Sequence, residues 1–119
     1  MLTRTEIIVI DIDNTITAGY PAFGDYELCT LAKGAKKAID EIRKEYLVFL
    51  HTGRHIQWAY ETMEWLKKHK IKYDHIQFGK PPAILYIDDK GMEHKSWKTT
   101  LTKMRKKKIL GDTQNSKMT

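Results

Sequence analysis

Six residues of this sequence have types that do chemistry only in company. Asp11 and Asp13 stand two apart behind the aliphatic run 7–10, and Asp88 and Asp89 follow a second aliphatic run at 83–87. Between them lie Thr52, in His51-Thr52-Gly53-Arg54, and Lys80, in Gly79-Lys80-Pro81. Four carboxylates gathered in one crevice repel each other and lose hydration, a cost that a shared cation removes. An all-oxygen donor set suits a hard ion, Mg²⁺ before Ca²⁺ or Zn²⁺. The Thr52 hydroxyl, the Gly53 backbone and the Lys80 ammonium are donors that call for an anion. Acids holding Mg²⁺ beside a hydroxyl and a lysine make a phosphate site, provided the fold brings them together.

The hydrophobic pattern says how it would. Residues 6–10 and 47–50 are short, continuous apolar runs of the kind found in buried parallel strands. A shorter strand is expected at 75–78 and a fourth at 83–87. Helical spacing joins Ala35, Ala38, Ile39, Ile42 and Tyr46 in 34–46, and Ile56, Ala59, Tyr60, Met63 and Leu66 in 56–69, where Trp58 and Trp65 lie on a separate stripe. A last helix at 95–108 turns Trp97, Leu101 and Met104 inward. Residues 16–30, with Gly19, Pro21 and Gly24, read as a loop or small flap. Strands alternating with helices predict an α/β fold, a three-layer Rossmann-like parallel sheet flanked by helices.

In such sheets the ligand site lies beyond the carboxyl ends of the strands. Asp11, Asp13, Thr52, Asp88 and Asp89 all fall at those ends, with Lys80 just before the fourth strand. A strand sets residues i and i+2 on one side, about 7 Å apart, so one acid of the first pair can face phosphorus and the next the leaving group. Asn14 tolerates the left-handed backbone that a sharp exit requires. Thr15 is placed to tie that turn back to the aspartates.

Composition bounds the rest. A chain of 119 residues is one domain's worth, here 1–110 as a single catalytic domain and 111–119 as a disordered tail. No window is apolar enough to span a membrane, and the first ten residues make no secretory signal, so a cytoplasmic location is expected. Cys29 is the only cysteine, which excludes an intrachain disulfide and a thiolate zinc cluster. The formal charge of +6 is concentrated at the end, where six basic residues from Lys103 to Lys117 face only Asp112. Such a run reads as a solvated helix face and frayed tail, or as a contact for a phosphate-rich partner such as nucleic acid. Gly79-Lys80 is not a P-loop, because Asp74 and Pro81 occupy the positions of its first Gly and its Ser or Thr.

The ordered set of DIDNT at 11–15, HTGR at 51–54, Lys80 in FGKP and IDD at 87–89 resembles the four motifs of haloacid dehalogenase superfamily phosphatases. The text around YDHIQFGKP and ILYIDDKG is similar to small capless members associated with capsule or other surface polysaccharide synthesis. The resemblance implies that Asp11 is the nucleophile forming an aspartyl-phosphate and that Asp13 protonates the leaving oxygen and then activates water. It implies a Mg²⁺ held by the Asp11 side chain, the Asp13 main-chain carbonyl and an acid of the last motif, Asp89 with Asp88 in support or the two exchanged. Thr52 and Gly53 would hold a phosphoryl oxygen, and Lys80 would screen Asp11 from the phosphate and steady the transition state. Asn14 stands where the family most often has Gly. Arg54 and His55 could contact substrate or begin the next helix; His51, His69, His75 and His94 are expected to be structural.

Neither position at which the superfamily inserts a cap has room for one, so the site is expected to be open or covered by a neighbouring copy in a homo-oligomer. The expected activity is Mg²⁺-dependent hydrolysis of a sugar phosphate or similar small phosphorylated metabolite. The alternatives are a nucleotide or 3′-phosphorylated nucleic-acid end as substrate, and a non-catalytic phosphate-binding domain.

Overall fold

A computed structural model describes residues 4–22, 24–81 and 83–111. The tail expected at 111–119 therefore lies outside the described residues from 112 onward. Three strands, β1 (Ile7–Asp11), β2 (Leu47–His51) and β3 (His75–Gln77), form a parallel sheet in the order β1-β2-β3. β1 and β2 pair from Ile7 opposite Leu47 to Asp11 opposite His51, which aligns their carboxyl ends. The α/β parallel architecture is the one that the alternating pattern predicts.

Three α-helices, α1 (Ala35–Arg43), α2 (Ala59–Lys68) and α3 (Trp97–Lys106), pack on the sheet. Right-handed crossovers that advance through neighbouring strands in one direction place α1 and α2 on the same face. The core agrees: Ile10, Val48 and Leu50 share one cluster with Ala38, Ile39 and Ile42 of α1, Trp65 and Leu66 of α2, and Trp97 and Met104 of α3. The opposite face is open, with Ile7 46% and Val9 59% exposed. The second helical layer of a three-layer arrangement is not formed by the described residues.

Two local expectations change. Residues 83–87 form no strand and are exposed throughout, because β propensity needs a ladder partner and the segment has none here. On α2 the inward face is Thr62, Trp65 and Leu66, while Ile56, Tyr60 and Met63 point to solvent. The cause is the flap. Its strand-like ends pair through Thr17 and Leu31, its short 3₁₀ turn Tyr26–Leu28 packs on α2, and the Trp65 indole donates to the Cys29 carbonyl at 2.9 Å. Of the tryptophan stripe, Trp65 is thus buried and Trp58 half-buried.

Asp74 joins the entry of β3 to β2. Its backbone N–H donates to the Val48 carbonyl and its carboxylate accepts from the Val48 N–H, both at 2.8 Å, while Arg43 Nη2 donates to the same carboxylate at 2.9 Å. These bonds extend the ladder one residue beyond the backbone pairing of β2 and β3, which starts at Phe49 opposite His75.

Candidate active site

The chain leaves β1 through a loop tightened on Ile12, which is fully buried and whose carbonyl accepts from the N–H groups of Thr15, Ile16 and Thr17 at 3.2, 2.8 and 3.0 Å. Asn14 sits at φ 59°, in the left-handed region, as the reading of its residue type allows. The side chain that ties the turn is not Thr15 but buried Thr17. Its hydroxyl accepts from the Asn14 N–H at 2.8 Å and donates to the Gly19 carbonyl at 2.6 Å. Thr15 contributes its carbonyl, which accepts from the Trp97 indole at 3.0 Å and fixes α3 to the loop.

This turn presents Asp11 and Asp13 at the carboxyl edge of the sheet. Lys80 Nζ lies 3.0 Å from Asp11 Oδ2, and the Lys80 backbone N–H donates to the Thr52 carbonyl at 2.9 Å. Three segments far apart in sequence therefore meet here, as their strand-end positions predict. Thr52 is buried, and its hydroxyl accepts from the Arg54 N–H at 3.1 Å. A Cβ on Gly53 would come within 3.2 Å of the Lys80 carbonyl; the closeness of the two loops explains a glycine at that position.

Arg54 is placed differently from the expected phosphate ligand. It is 3% exposed and turned inward: Nη2 lies 2.6 Å from Asp13 Oδ1 and Nε lies 3.2 Å from both carboxylate oxygens. Nη1 donates to the Thr62 hydroxyl at 2.9 Å, and the guanidinium stacks 4.0 Å over the Tyr26 ring. The guanidinium is thus committed to Asp13, Thr62 and the Cys29 sulfur, an arrangement that holds the Asp13 carboxylate in place. Burial raises the pKa values of the neighbouring Tyr26 hydroxyl and Cys29 thiol, keeping both neutral beside the pair. The Arg54 to Asp13 contact spans 41 positions, and only the arginine's place next to the threonine motif hinted at it.

Four of the five histidines stand apart from this chemistry, while His51, at the end of β2, lies opposite Asp11. His69, His75 and His94 stack on Trp65, Phe49 and Trp97 with ring centroids 4.4, 4.9 and 4.6 Å apart, and burial lowers the pKa values of His69 and His94. His55 is exposed before the 3₁₀ turn Ile56–Trp58 that leads into α2.

The acids expected to hold Mg²⁺ are not all gathered among the described residues. Asp88 and Asp89 are exposed, and the Asp88 carboxylate accepts from the Lys90 N–H at 2.7 Å in a local turn. Among the described residues no three His, Cys, Asp or Glu side chains are grouped so as to hold a metal. The carboxylates of Asp11 and Asp13 already face cations. Of the three protein oxygens expected to hold Mg²⁺, the last-motif carboxylate is therefore not grouped with Asp11 and Asp13 among the described residues. The physical reason is the short path after Lys80: Tyr86 folds back so that its hydroxyl bonds the Pro81 carbonyl and its ring lies 4.0 Å beneath Lys80 Nζ.

No protein-family model and no curated protein sequence matches the chain. Its fold is similar to the crystal structure of a structural genomics target from Vibrio cholerae, with a TM-score of 0.64, 23% identity, and coverage of 74% of this chain and 83% of that one. The class defined by fold and site is a small α/β protein with a parallel sheet and an acid-lysine pair at its carboxyl edge. Among the described residues, no helix is long and apolar enough to cross a membrane.

Proposed function

We propose that the chain is a phosphomonoesterase, acting on a sugar phosphate or similar small phosphorylated metabolite through an aspartyl-phosphate. The observation that carries this reading is Lys80 at 3.0 Å from Asp11, with Lys80 itself hung on the Thr52 carbonyl. An Asp11 oxygen attacks phosphorus, the bond from phosphorus to the ester oxygen breaks, and that oxygen takes a proton from Asp13. Water, deprotonated by Asp13, then displaces Asp11 and releases phosphate. Lys80 neutralises charge between nucleophile and phosphoryl oxygens, and the Thr52–Gly53 turn supplies further donors. Arg54 fixes the direction in which Asp13 faces. Mg²⁺, in this reading, would supply charge neutralisation at the phosphoryl group.

The placement of basic residues favours a small substrate over a nucleic-acid end. Trp97, at the start of α3, is bonded to the loop after β1, whereas Ile109, just past its end, accepts a hydrogen bond from Tyr46, which precedes β2. The exposed Lys106, Lys107 and Lys108 therefore lie toward the amino edge of the sheet, away from Asp11. Arg105, beside them, is spent on Glu41 at 2.7 Å, and cations at a helix carboxyl end also suit its dipole. A cytoplasmic setting accords with a metabolite substrate. The test is hydrolysis of p-nitrophenyl phosphate by the full chain in Mg²⁺, abolished by chelator and by Asp11→Asn; an active Asp11→Asn chain overturns the assignment.

A further inference from the structure

We propose that two copies of this chain exchange residues 83–87, each laying that segment along the free edge of the other's β1, so that Asp88 and Asp89 of one copy reach Asp11 of the other. The exchange stands on geometry alone; the metal site it completes rests on the phosphatase reading.

β1 has β2 on one side and no strand on the other among the described residues. An open edge of five residues is a template for one more strand. The same molecule carries a five-residue segment of strand composition with no partner: Ile84 is 107%, Leu85 67%, Tyr86 50% and Ile87 92% exposed. Ile84, Leu85 and Ile87, large apolar side chains left mostly in water, mark a surface that is covered in the assembled protein.

The segment cannot reach this edge in its own copy in the useful direction. Lys80 is pinned at the upper end of the sheet by Thr52 and Asp11. To run parallel to β1 with Asp88 level with Asp11, Ile84 must lie level with Ile7, about 13 Å lower, and beyond β1, about 10 Å sideways from β2. The straight path is about 16 Å, whereas the four residue steps from Lys80 to Ile84 span at most about 14 Å, and two of those residues are prolines. Run the other way, the segment would carry Asp88 to the lower edge, far from Asp11.

A second copy removes the difficulty. Related by a dyad across the strands, it places its upper edge beside the lower edge of the first. The chain leaving Lys80 then enters the neighbour at the level of Ile7 and climbs alongside β1. Asp88 and Asp89 arrive beside Asp11, and the contact is the same from both sides, closing a pair. The added carboxylates create the acid crowding that a divalent cation resolves.

Sedimentation of the full chain is expected to give twice the chain mass. On a Cys29→Ser background, Val9→Cys combined with Tyr86→Cys, which this register sets opposite each other, is expected to give a disulfide joining two chains. Asp11→Asn chains and Asp88→Asn/Asp89→Asn chains, each inactive, are co-refolded in equal amounts. They should recover about one quarter of wild-type turnover, since half of the pairs are mixed and one of their two sites is whole. A single-chain mass, a larger open assembly, or a disulfide confined within chains overturns the exchange. No recovery with an active wild type overturns the shared site. If wild type hydrolyses no phosphate ester, the phosphatase reading fails separately and Mn²⁺ binding replaces turnover as the readout. Binding by wild type and the mixture but by neither variant alone supports the shared site, and any other pattern overturns it.

Discussion

Arg54 Nη2 lies 2.6 Å from Asp13 Oδ1, and the arginine behind that contact is 3% exposed. A guanidinium taken out of water is stable only with its partners in place. The same pair that fixes the Asp13 carboxylate therefore holds the flap, through Tyr26, against α2, through Thr62. Arg54→Ala is expected to destabilise the fold by about 3 kcal/mol. Urea unfolding checks this, and a loss below about 1 kcal/mol would show that the pair contributes little to stability.

Asp74 gives the fold a defined acid sensitivity. Hydrogen bonds from Arg43 and from the Val48 N–H, with the charge of Arg4 nearby, outweigh burial and hold its pKa below the usual carboxylate value. A group whose pKa is lower folded than unfolded adds stability above its unfolded pKa, about 3.9 for Asp, and loses it as pH falls through the folded value. Wild type is thus expected to lose stability below about pH 4 more steeply than Asp74→Asn. Thermal unfolding between neutral and acid pH measures the difference, and parallel curves would count against this role.

Asn14 at φ 59° separates sterics from side-chain chemistry. Asn14→Gly is expected to fold with wild-type stability or better, whereas Asn14→Val should lose about 1–2 kcal/mol because a β-branched side chain is strained there. Equal stability of the two variants would mean that the turn relaxes to another conformation.

Thr17 closes the same loop by accepting from Asn14 and donating to Gly19. Thr17→Val removes both of these bonds and leaves the Asn14 N–H and the Gly19 carbonyl with only each other, 3.0 Å apart, at a cost of about 1–2 kcal/mol. Thr17→Ser should retain most of the stability. If Val and Ser behave alike, the methyl group rather than the hydroxyl matters.

The strands, the helices and the meeting of Asp11 with Lys80 were legible because each depends on local pattern: apolar runs, helical spacing and polar residues at strand ends. The inward face of α2 was not, because Ile56, Tyr60 and Met63 look more apolar than Thr62 until the flap settles on the tryptophans. The role of Arg54 was hidden for a related reason. Proximity to a phosphate motif suggests a phosphate ligand, and only three-dimensional packing shows that Asp13 and Tyr26 claim it first. The run 83–87 carries strand propensity without a partner, and pairing is a property of two segments rather than one.

The hydrogen bond from the Trp97 indole to the Thr15 carbonyl ties a chromophore to the backbone two residues past Asp13. With Trp58 and Trp65 replaced by Phe, the emission of Trp97 becomes an optical gauge of that loop. Any anion or ion that shifts the loop on arrival would register in the colour and intensity of a single indole. Occupancy of the site could then be followed by light in real time, with no turnover and no label.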